Sequence, residues 1–446
     1  MQNVAETRAL QDVNYLVVGL GLTGYSVARF LLADGYRCRV QDTRDLPPYL
    51  GRLRAEFESV RFHAGEIDEE LLDWADVLVV SPGLATRQPV FDDARAMGKT
   101  LLGDVELFAR QVQVPVVAIT GSNGKSTVTR LVGNIIDVAG IPVGVGGNIG
   151  TPVLDLLAES ADYYVLELSS YQLETTESLQ PRVATILNLS EDHLDRYPGY
   201  EDYVEAKHRV YRDATVCVSN LDDSATACGA DDIRFSLETD SEAEFHLLED
   251  NGLWLAYRGE PWLRVDDLKI SGRHNWANCL AAMAITHSLG ISRDAIVQAL
   301  RQFGGIPHRS QWVDEIDGVE WINDSKATNV GAALASIEGR DRPVILIAGG
   351  QSKGADMTVM NDALRQKVKL VLLLGEDADR LQQAWQGVTR LERVGDMHEA
   401  VRRASEEAVH GDCVLLAPAC ASFDMYEKFE ARGDDFMRRV AELRHG

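Results

Sequence analysis

Short apolar runs, each ending in glycine or a polar cluster, recur along the chain. The first is "YLVV" at 15–18. "GLGLTG" follows from Gly19 to Gly24, then an amphipathic segment ending near Gly35, then "RCRVQD" closing at Asp42. A strand, a glycine turn, a helix and a strand ending in an acid make the pattern of a parallel βαβ unit. "DVLVVSPG" (76–83) repeats the logic of an apolar strand running into a turn. A second series comprises "VPVVAIT", "YYVLELSS" (163–170) and "VATILNLS" (183–190). Residues 232–270 alternate polar and apolar positions around a turn signal at Asp250–Gly252, which predicts a short antiparallel patch. "NWANCLAAMAITHSLG" (275–290) predicts a largely buried helix capped by Gly290. After the Gly/Pro stretch "FGGIPHR" (303–309), the runs "VEWIND", "PVILIAGG", "LVLLLG" and "CVLLAPA" each precede a helix-like segment.

The expected fold is therefore α/β in three domains. Residues 1–103 form a Rossmann-like nucleotide-diphosphate domain. Residues 104–305 form a central P-loop ATPase domain with a small antiparallel sheet. Residues 306–446 form a second Rossmann-like α/β domain, hinged at 303–309. In such sheets ligands gather beyond the carboxyl ends of the strands, so the strand-end loops are where chemistry is sought.

Composition narrows the partners. The 446 residues carry 69 acidic and 44 basic side chains, a net charge of −25, which disfavours nucleic acid. The hydrophobic fraction of 45% is ordinary for globular domains. The cysteines, Cys38, Cys217, Cys228, Cys279, Cys413 and Cys420, form no C-x-x-C pair, so a disulfide framework or zinc site is not expected. The start, "MQNVAETRALQ", has no signal-peptide design and no apolar run is long enough to span a bilayer. The expectation is a cytoplasmic chain with no membrane partner.

Chemistry is carried by several strand ends. "GLGLTG" and Asp42, 18 residues beyond Gly24, match a fingerprint for a nucleotide diphosphate, with Thr43 and Arg44 following. "TGSNGKST" lacks the first glycine of the usual phosphate loop, where Ile119 stands, yet follows a strand and opens a helix. The N–H groups of Ser122 to Lys125 could wrap phosphates, Lys125 could neutralise their charge, and Ser126 or Thr127 could reach Mg²⁺. Glu167 ends a strand, as a magnesium ligand or as an acid paired with a lysine. "NLSEDHLDRYP" gathers Glu191, Asp192, His193 and Asp195, either metal ligands or an acidic helix start capped by Ser190. Lys207 sits mid-helix in "YVEAKHRVY" and by itself reads as a solvated face. Arg309 could stabilise a transferred phosphoryl group, and Lys326 and Lys353, on loops of one domain, could grip a dicarboxylate.

The motifs "GSNGKST", "LELSSYQLE", "NLSEDHLDRY", "EAKHRVY", "GRHNWAN", "PHRSQWV", "NDSKATN", "GGQSKGAD" and "APACASFDMYEKFEARG" occur in an order that resembles the Mur ligases, from about residue 13 onward. The resemblance implies an ATP-dependent amide ligase of peptidoglycan precursor synthesis. It would add D-glutamate to the L-alanyl carboxylate of UDP-N-acetylmuramoyl-L-alanine through an acyl phosphate, acting as a monomer. It implies that Leu22, Thr23, Asp42, Thr43, Arg44, Gly83 and Asn148 hold the UDP substrate. Gly121, Ser122, Asn123, Gly124, Lys125, Ser126, Thr127, Asn275, Asn278, Arg309 and Asp324 would serve ATP. Ser126, Glu167, His193 and Lys207, the last as a carbamate, would hold two Mg²⁺ ions. Lys326, Thr328, Lys353, Ser422 and Phe429 would form the glutamate pocket. Lys125, His193, Lys207, Arg309 and Lys326 are the residues expected to carry the chemistry. Two departures from the family pattern, Ser122 and Ala417, remove no charge. A nicotinamide-dependent oxidoreductase would account for "GLGLTG" but not for the phosphate loop. A P-loop switch protein would leave Lys326 and Lys353 without a role.

Overall fold

The computed structural model describes residues 13–190, 196–270, 272–340, 342–352 and 354–444. Three sheets order it. The first contains β1 (Asn14–Val18), β2 (Arg37–Asp42), β3 (Arg61–Ala64), β4 (Val77–Val80) and β5 (Thr100–Leu102), in the order β3-β2-β1-β4-β5 and wholly parallel. The order reverses at β1, so the loops after β1 and β4 splay apart there and open a crevice.

The central sheet has nine strands: β6 (Val116–Thr120), β7 (Val143–Gly147), β8 (Tyr163–Glu167), β9 (Val183–Ile186), β10 (Val216–Asn220), β11 (Ile233–Ser236), β12 (Phe245–Glu249), β13 (Leu253–Tyr257) and β14 (Glu260–Arg264). Its order is β14-β13-β12-β11-β10-β9-β6-β8-β7. Here the sequence expectation needs correcting. The antiparallel strands do not form a separate sheet but extend this one, and the only antiparallel pairs in it are β12 with β13 and β13 with β14. Strand β11 pairs parallel with both β10 and β12. Alternation reports a half-buried strand but not its direction. The connection 221–232 is far too long for a hairpin turn, whereas Asp250–Gly252 is a hairpin-sized one.

The third sheet contains β15 (Gln311–Ile316), β16 (Val319–Asn323), β17 (Val344–Gly349), β18 (Val368–Leu374), β19 (Leu391–Arg393) and β20 (Cys413–Leu416). Its order is β15-β16-β20-β17-β18-β19, parallel apart from β15. Strands such as "VILIAG" and "VLLL" are continuous apolar runs because helices cover both faces of a parallel sheet. Strand β7, "VGVGG", gave no apolar signal. Glycine is required in it because a Cβ at Gly144 would lie 2.7 Å from the Tyr164 ring and one at Gly146 2.4 Å from the Thr151 carbonyl oxygen.

Contacts group the chain into two compact units. One reaches Asp266 and includes Trp276–Leu300; the other comprises Asp267–Asn275 and the residues from Arg301 onward. The first unit thus carries both the five-stranded and the nine-stranded sheets. Among the described residues, no helix is long and apolar enough to cross a membrane.

Candidate active site

In the first unit, the turn after β1 is built for close backbone approach. Gly19 adopts φ +90°, and a Cβ on Gly24 would fall 1.8 Å from the Gly19 carbonyl oxygen. Only glycine therefore lets the helix Leu22–Ala33 start this tightly against the strand. The crevice above it is a pocket of about 560 Å³. Leu22, Thr23, Asp42, Thr43, Arg44, Gly83 and Asn148, the seven residues expected around the UDP substrate, all line it. Ser81, at the strand end before Gly83, lines it too, as do Gln41 and Gln172, which were not anticipated.

Asp42 is spent on the turn itself. Its carboxylate is buried and accepts four hydrogen bonds: Leu20 N–H at 2.7 Å, Arg44 N–H at 2.9 Å, and Arg44 Nε and Nη2 at 2.8 and 2.7 Å. The Arg44 guanidinium, aided by the Leu20 and Arg44 backbone N–H groups, holds the Asp42 carboxyl down at about 2 against the opposing effect of burial. Asp42 thus fixes the glycine turn and presents the half-exposed Arg44 side chain to the pocket.

The phosphate loop links β6 to the helix Lys125–Val138. Gly121 (φ +150°) and Gly124 (φ +80°) make the turn, and a Cβ at Gly124 would sit 2.4 Å from Asn278 Oδ1. That places Asn278 directly against the loop. Lys125 Nζ donates to the Gly121 and Ser122 carbonyl oxygens at 2.9 and 2.8 Å. The anticipated cradle is narrower than expected. Ser122 N–H donates to the Asn188 carbonyl oxygen (2.9 Å) and Asn123 N–H to Asn188 Oδ1 (2.8 Å). The Ser122 hydroxyl pairs with Tyr203 OH at 2.9 Å. The helix N-terminus from Gly124 to Ser126, with Thr127 half-buried behind it, is what this leaves for an anion.

Glu167 ends β8, beside β6, and is 2% exposed. Its Oε1 accepts from Asn148 Nδ2 at 2.8 Å, while Oε2 is buried with no hydrogen-bond partner among the described residues. A buried carboxylate oxygen left over in this way suits a cation, which would supply the missing partner. Asn148 joins the two sites, since it also lines the crevice of the first sheet. Lys207 is not the solvated lysine its local sequence suggests. It is 2% exposed on the helix Tyr200–His208, and its Nζ donates to the Gly121 carbonyl oxygen at 2.9 Å and Thr120 Oγ1 at 3.2 Å. His193, with Glu191, Asp192 and Asp195, lies outside the described residues.

The second unit carries the remaining candidates. His308, buried at φ +61°, donates its N–H to Gln311 Oε1 (2.8 Å), and its carbonyl oxygen accepts from Lys326 N–H (3.0 Å). The neighbouring Arg309 is exposed, and Asn275 belongs to the same unit. Burial pushes the Asp324 carboxyl above its usual range, opposed by hydrogen bonds from Ser336 and the Ser310 backbone. Lys326 Nζ lies 4.2 Å above the centre of the Phe429 ring. Thr328 is half-buried and Ser422 is buried on the loop after β20, while Lys353 lies outside the described residues. The sequence reading missed Arg432. Its buried guanidinium donates to Ser325 Oγ (3.0 Å) and to the carbonyl oxygens of Ser325 (2.9 Å) and Cys420 (3.1 Å). It thereby ties the loops after β16 and β20, which carry Lys326 and Ser422. Burial draws its pKa down to about 10.

Three family models match in register with the three sheets: the Mur ligase MurD-like N-terminal domain (13–103), the Mur ligase middle domain (119–286) and the Mur ligase glutamate ligase domain (308–420). A UDP-N-acetylmuramoylalanine–D-glutamate ligase of Pseudomonas aeruginosa is 49% identical over 437 residues, covering 96% of this chain and 98% of the relative. The chain belongs to the Mur ligase family. A ligase of the same name from Methylococcus capsulatus is 47% identical, over 96% of this Mur ligase and 94% of the relative. A solved UDP-N-acetylmuramate–alanine ligase from Thermotoga maritima shares the fold at 17% identity, with a TM-score of 0.60 over 96% of this chain and 99% of that one. A pseudomurein peptide ligase from Methanothermus fervidus does so at 20% identity and a TM-score of 0.56, over 96% and 100%.

Proposed function

We propose that this Mur ligase joins D-glutamate to the L-alanyl carboxylate of UDP-N-acetylmuramoyl-L-alanine, driven by ATP. The observation that carries the reading is the 49% identity, over nearly the whole of both chains, to a ligase of that name. The crevice at Asp42–Arg44 holds the UDP moiety, with Arg44 as the cation for its diphosphate. The helix N-terminus at Lys125 holds the ATP phosphates, Ser126 and Thr127 stand by the metal, and Asn278 lies beside the nucleotide. Asn275, Arg309 and Asp324 also serve ATP, while Lys326, Thr328, Lys353, Ser422 and Phe429 receive glutamate.

An oxygen of the alanyl carboxylate attacks the γ-phosphorus of ATP, ADP leaves, and an acyl phosphate forms. The glutamate amine then attacks the acyl carbon, and the tetrahedral intermediate collapses with loss of phosphate. The amine proton passes to a base, for which His193 is the candidate, or to water. Lys125 steadies the charge of the transferring group. Mg²⁺, held by Ser126, Glu167, His193 and a carbamylated Lys207, supplies further neutralisation of phosphate charge when bound. The orphaned Glu167 Oε2 supports one such ion. The burial of Lys207 supports the carbamate, because an anionic group at that position would face a cation rather than solvent. The net charge of −25 supports small-molecule substrates rather than nucleic acid, and a cytoplasmic monomer is the setting this reading assumes. Incubation with Mg-ATP, UDP-N-acetylmuramoyl-L-alanine and D-glutamate yields a UDP-sugar heavier by one glutamyl residue. An unchanged UDP-sugar by mass spectrometry refutes the reading.

A further inference from the structure

Away from the nucleotide sites, the nine-stranded sheet brings two thiols and a carboxylate together. Cys217 is the second residue of β10, Cys228 lies in the connection 221–232, and Asp232 immediately precedes β11. The parallel pairing of Val218 with Ile233 sets the two strands side by side at this level. Among the described residues, this is the one group of three His, Cys, Asp or Glu side chains whose ligand atoms all lie within 4.8 Å of one another.

The group is held in shape by its surroundings. Asp232 is buried, and Cys228 N–H donates to its Oδ2 at 2.7 Å, which orients the carboxylate. The connection carrying Cys228 is pinned just before it. Thr226 Oγ1 accepts from Asn220 N–H (2.9 Å) and donates to the Asp223 carbonyl oxygen (2.8 Å), and Tyr211 OH donates to the Thr226 carbonyl oxygen (2.8 Å). Cys217 is half-buried and Cys228 exposed, so the cluster has a floor and an open side.

We propose that Cys217, Cys228 and Asp232 form a binding site for a thiophilic divalent cation of the Zn²⁺ class, its fourth position open to water. Ligand atoms of a tetrahedral thiolate–carboxylate site lie about 2.0–2.3 Å from the metal and hence about 3.5 Å from each other. The ligand atoms lie within 4.8 Å of one another, so binding would draw them together by at most about 1.3 Å. Thiolates select Zn²⁺ or Cd²⁺ over Mg²⁺, so the site is chemically distinct from the Mg²⁺ site proposed at Glu167. Each thiol releases its proton to solvent as its sulfur binds. The site bears on the phosphate loop through a short path. Asp223 Oδ2 accepts from Leu189 N–H (2.7 Å) and Asn220 Nδ2 donates to the Leu187 carbonyl oxygen (3.1 Å), which brackets the Asn188 that holds Asn123.

The test is a titration of the reduced full chain with Cd²⁺ in excess Mg²⁺, following thiolate-to-cadmium charge-transfer absorption. The band rises to a plateau at one equivalent and is displaced by Zn²⁺. It is lost in Cys217→Ser and in Cys228→Ser, retained in Cys38→Ser, and weakened at least tenfold in affinity by Asp232→Asn. Cys228 is exposed, so its serine variant folds, and an unchanged melting temperature verifies this. A wild-type chain with no saturable band, or a band that survives in Cys228→Ser, overturns the proposal.

Discussion

Asp42→Asn separates the two parts assigned to Asp42, holding the glycine turn and presenting Arg44. In the folded chain its carboxyl falls from 3.8 to about 2, chiefly through Arg44. At about 1.4 kcal/mol per pH unit, that is about 2.5 kcal/mol of preferential stabilisation of the charged form. The Arg44 side chain is 54% exposed, so solvent screening reduces the net contribution to about 1–2 kcal/mol. The folded pKa is depressed, so this stability is fully present above pH 4 and is lost as pH falls towards 2. Asparagine keeps an oxygen for Leu20 N–H but lacks the charge that fixes the guanidinium. Urea unfolding from pH 7 to pH 3 should show wild type more stable than Asp42→Asn by about 1–2 kcal/mol at pH 7, with the gap closing in acid. In steady-state kinetics the variant should raise KM for the UDP substrate about tenfold, the value of one charge-assisted hydrogen bond, with KM for ATP unchanged. A stability gap independent of pH, or an unaltered KM for the UDP substrate, would refute the reasoning.

Gly24→Ala should destabilise the first unit by about 3 kcal/mol in urea unfolding, because the new methyl meets a backbone oxygen that cannot turn aside. Glu167→Gln keeps an acceptor for Asn148 but removes the charge, so kcat should fall by about a hundredfold or more with the circular dichroism spectrum unchanged. Lys207→Ala should lose activity and regain part of it with added short-chain carboxylates, which stand in for a carbamate; full activity without additive would remove the carbamate from the account.

The phosphate loop, the glycine turn and the strands that end at them were legible because strand, turn and helix are local and have fixed periods. Glu167 was legible as a position, but not as a carboxylate with one oxygen satisfied by Asn148 and the other left over, since that depends on β7 and β8 lying side by side. Lys207 was misleading in isolation. Its helix has acidic neighbours, and only packing against the Thr120–Gly121 turn buries it. Asp42 stood out by its spacing from the glycine turn, yet its four hydrogen-bond donors come from Leu20 and Arg44 and could not be counted in advance. Arg432 stood within "APACASFDMYEKFEARG" but was given no role, and the Cys217–Cys228 pair left no local signal, because each acts across loops joined only by the folded sheet. The direction of β11 was hidden for the same reason.

The central claim is that phosphoryl transfer in this chain serves amide formation. Phosphate release from Mg-ATP, measured with each substrate omitted in turn, tests it most directly. The account predicts release only when UDP-N-acetylmuramoyl-L-alanine and D-glutamate are both present, at one phosphate per amide formed. Steady release without either substrate, or a nicotinamide absorbance change in place of phosphate, would contradict it.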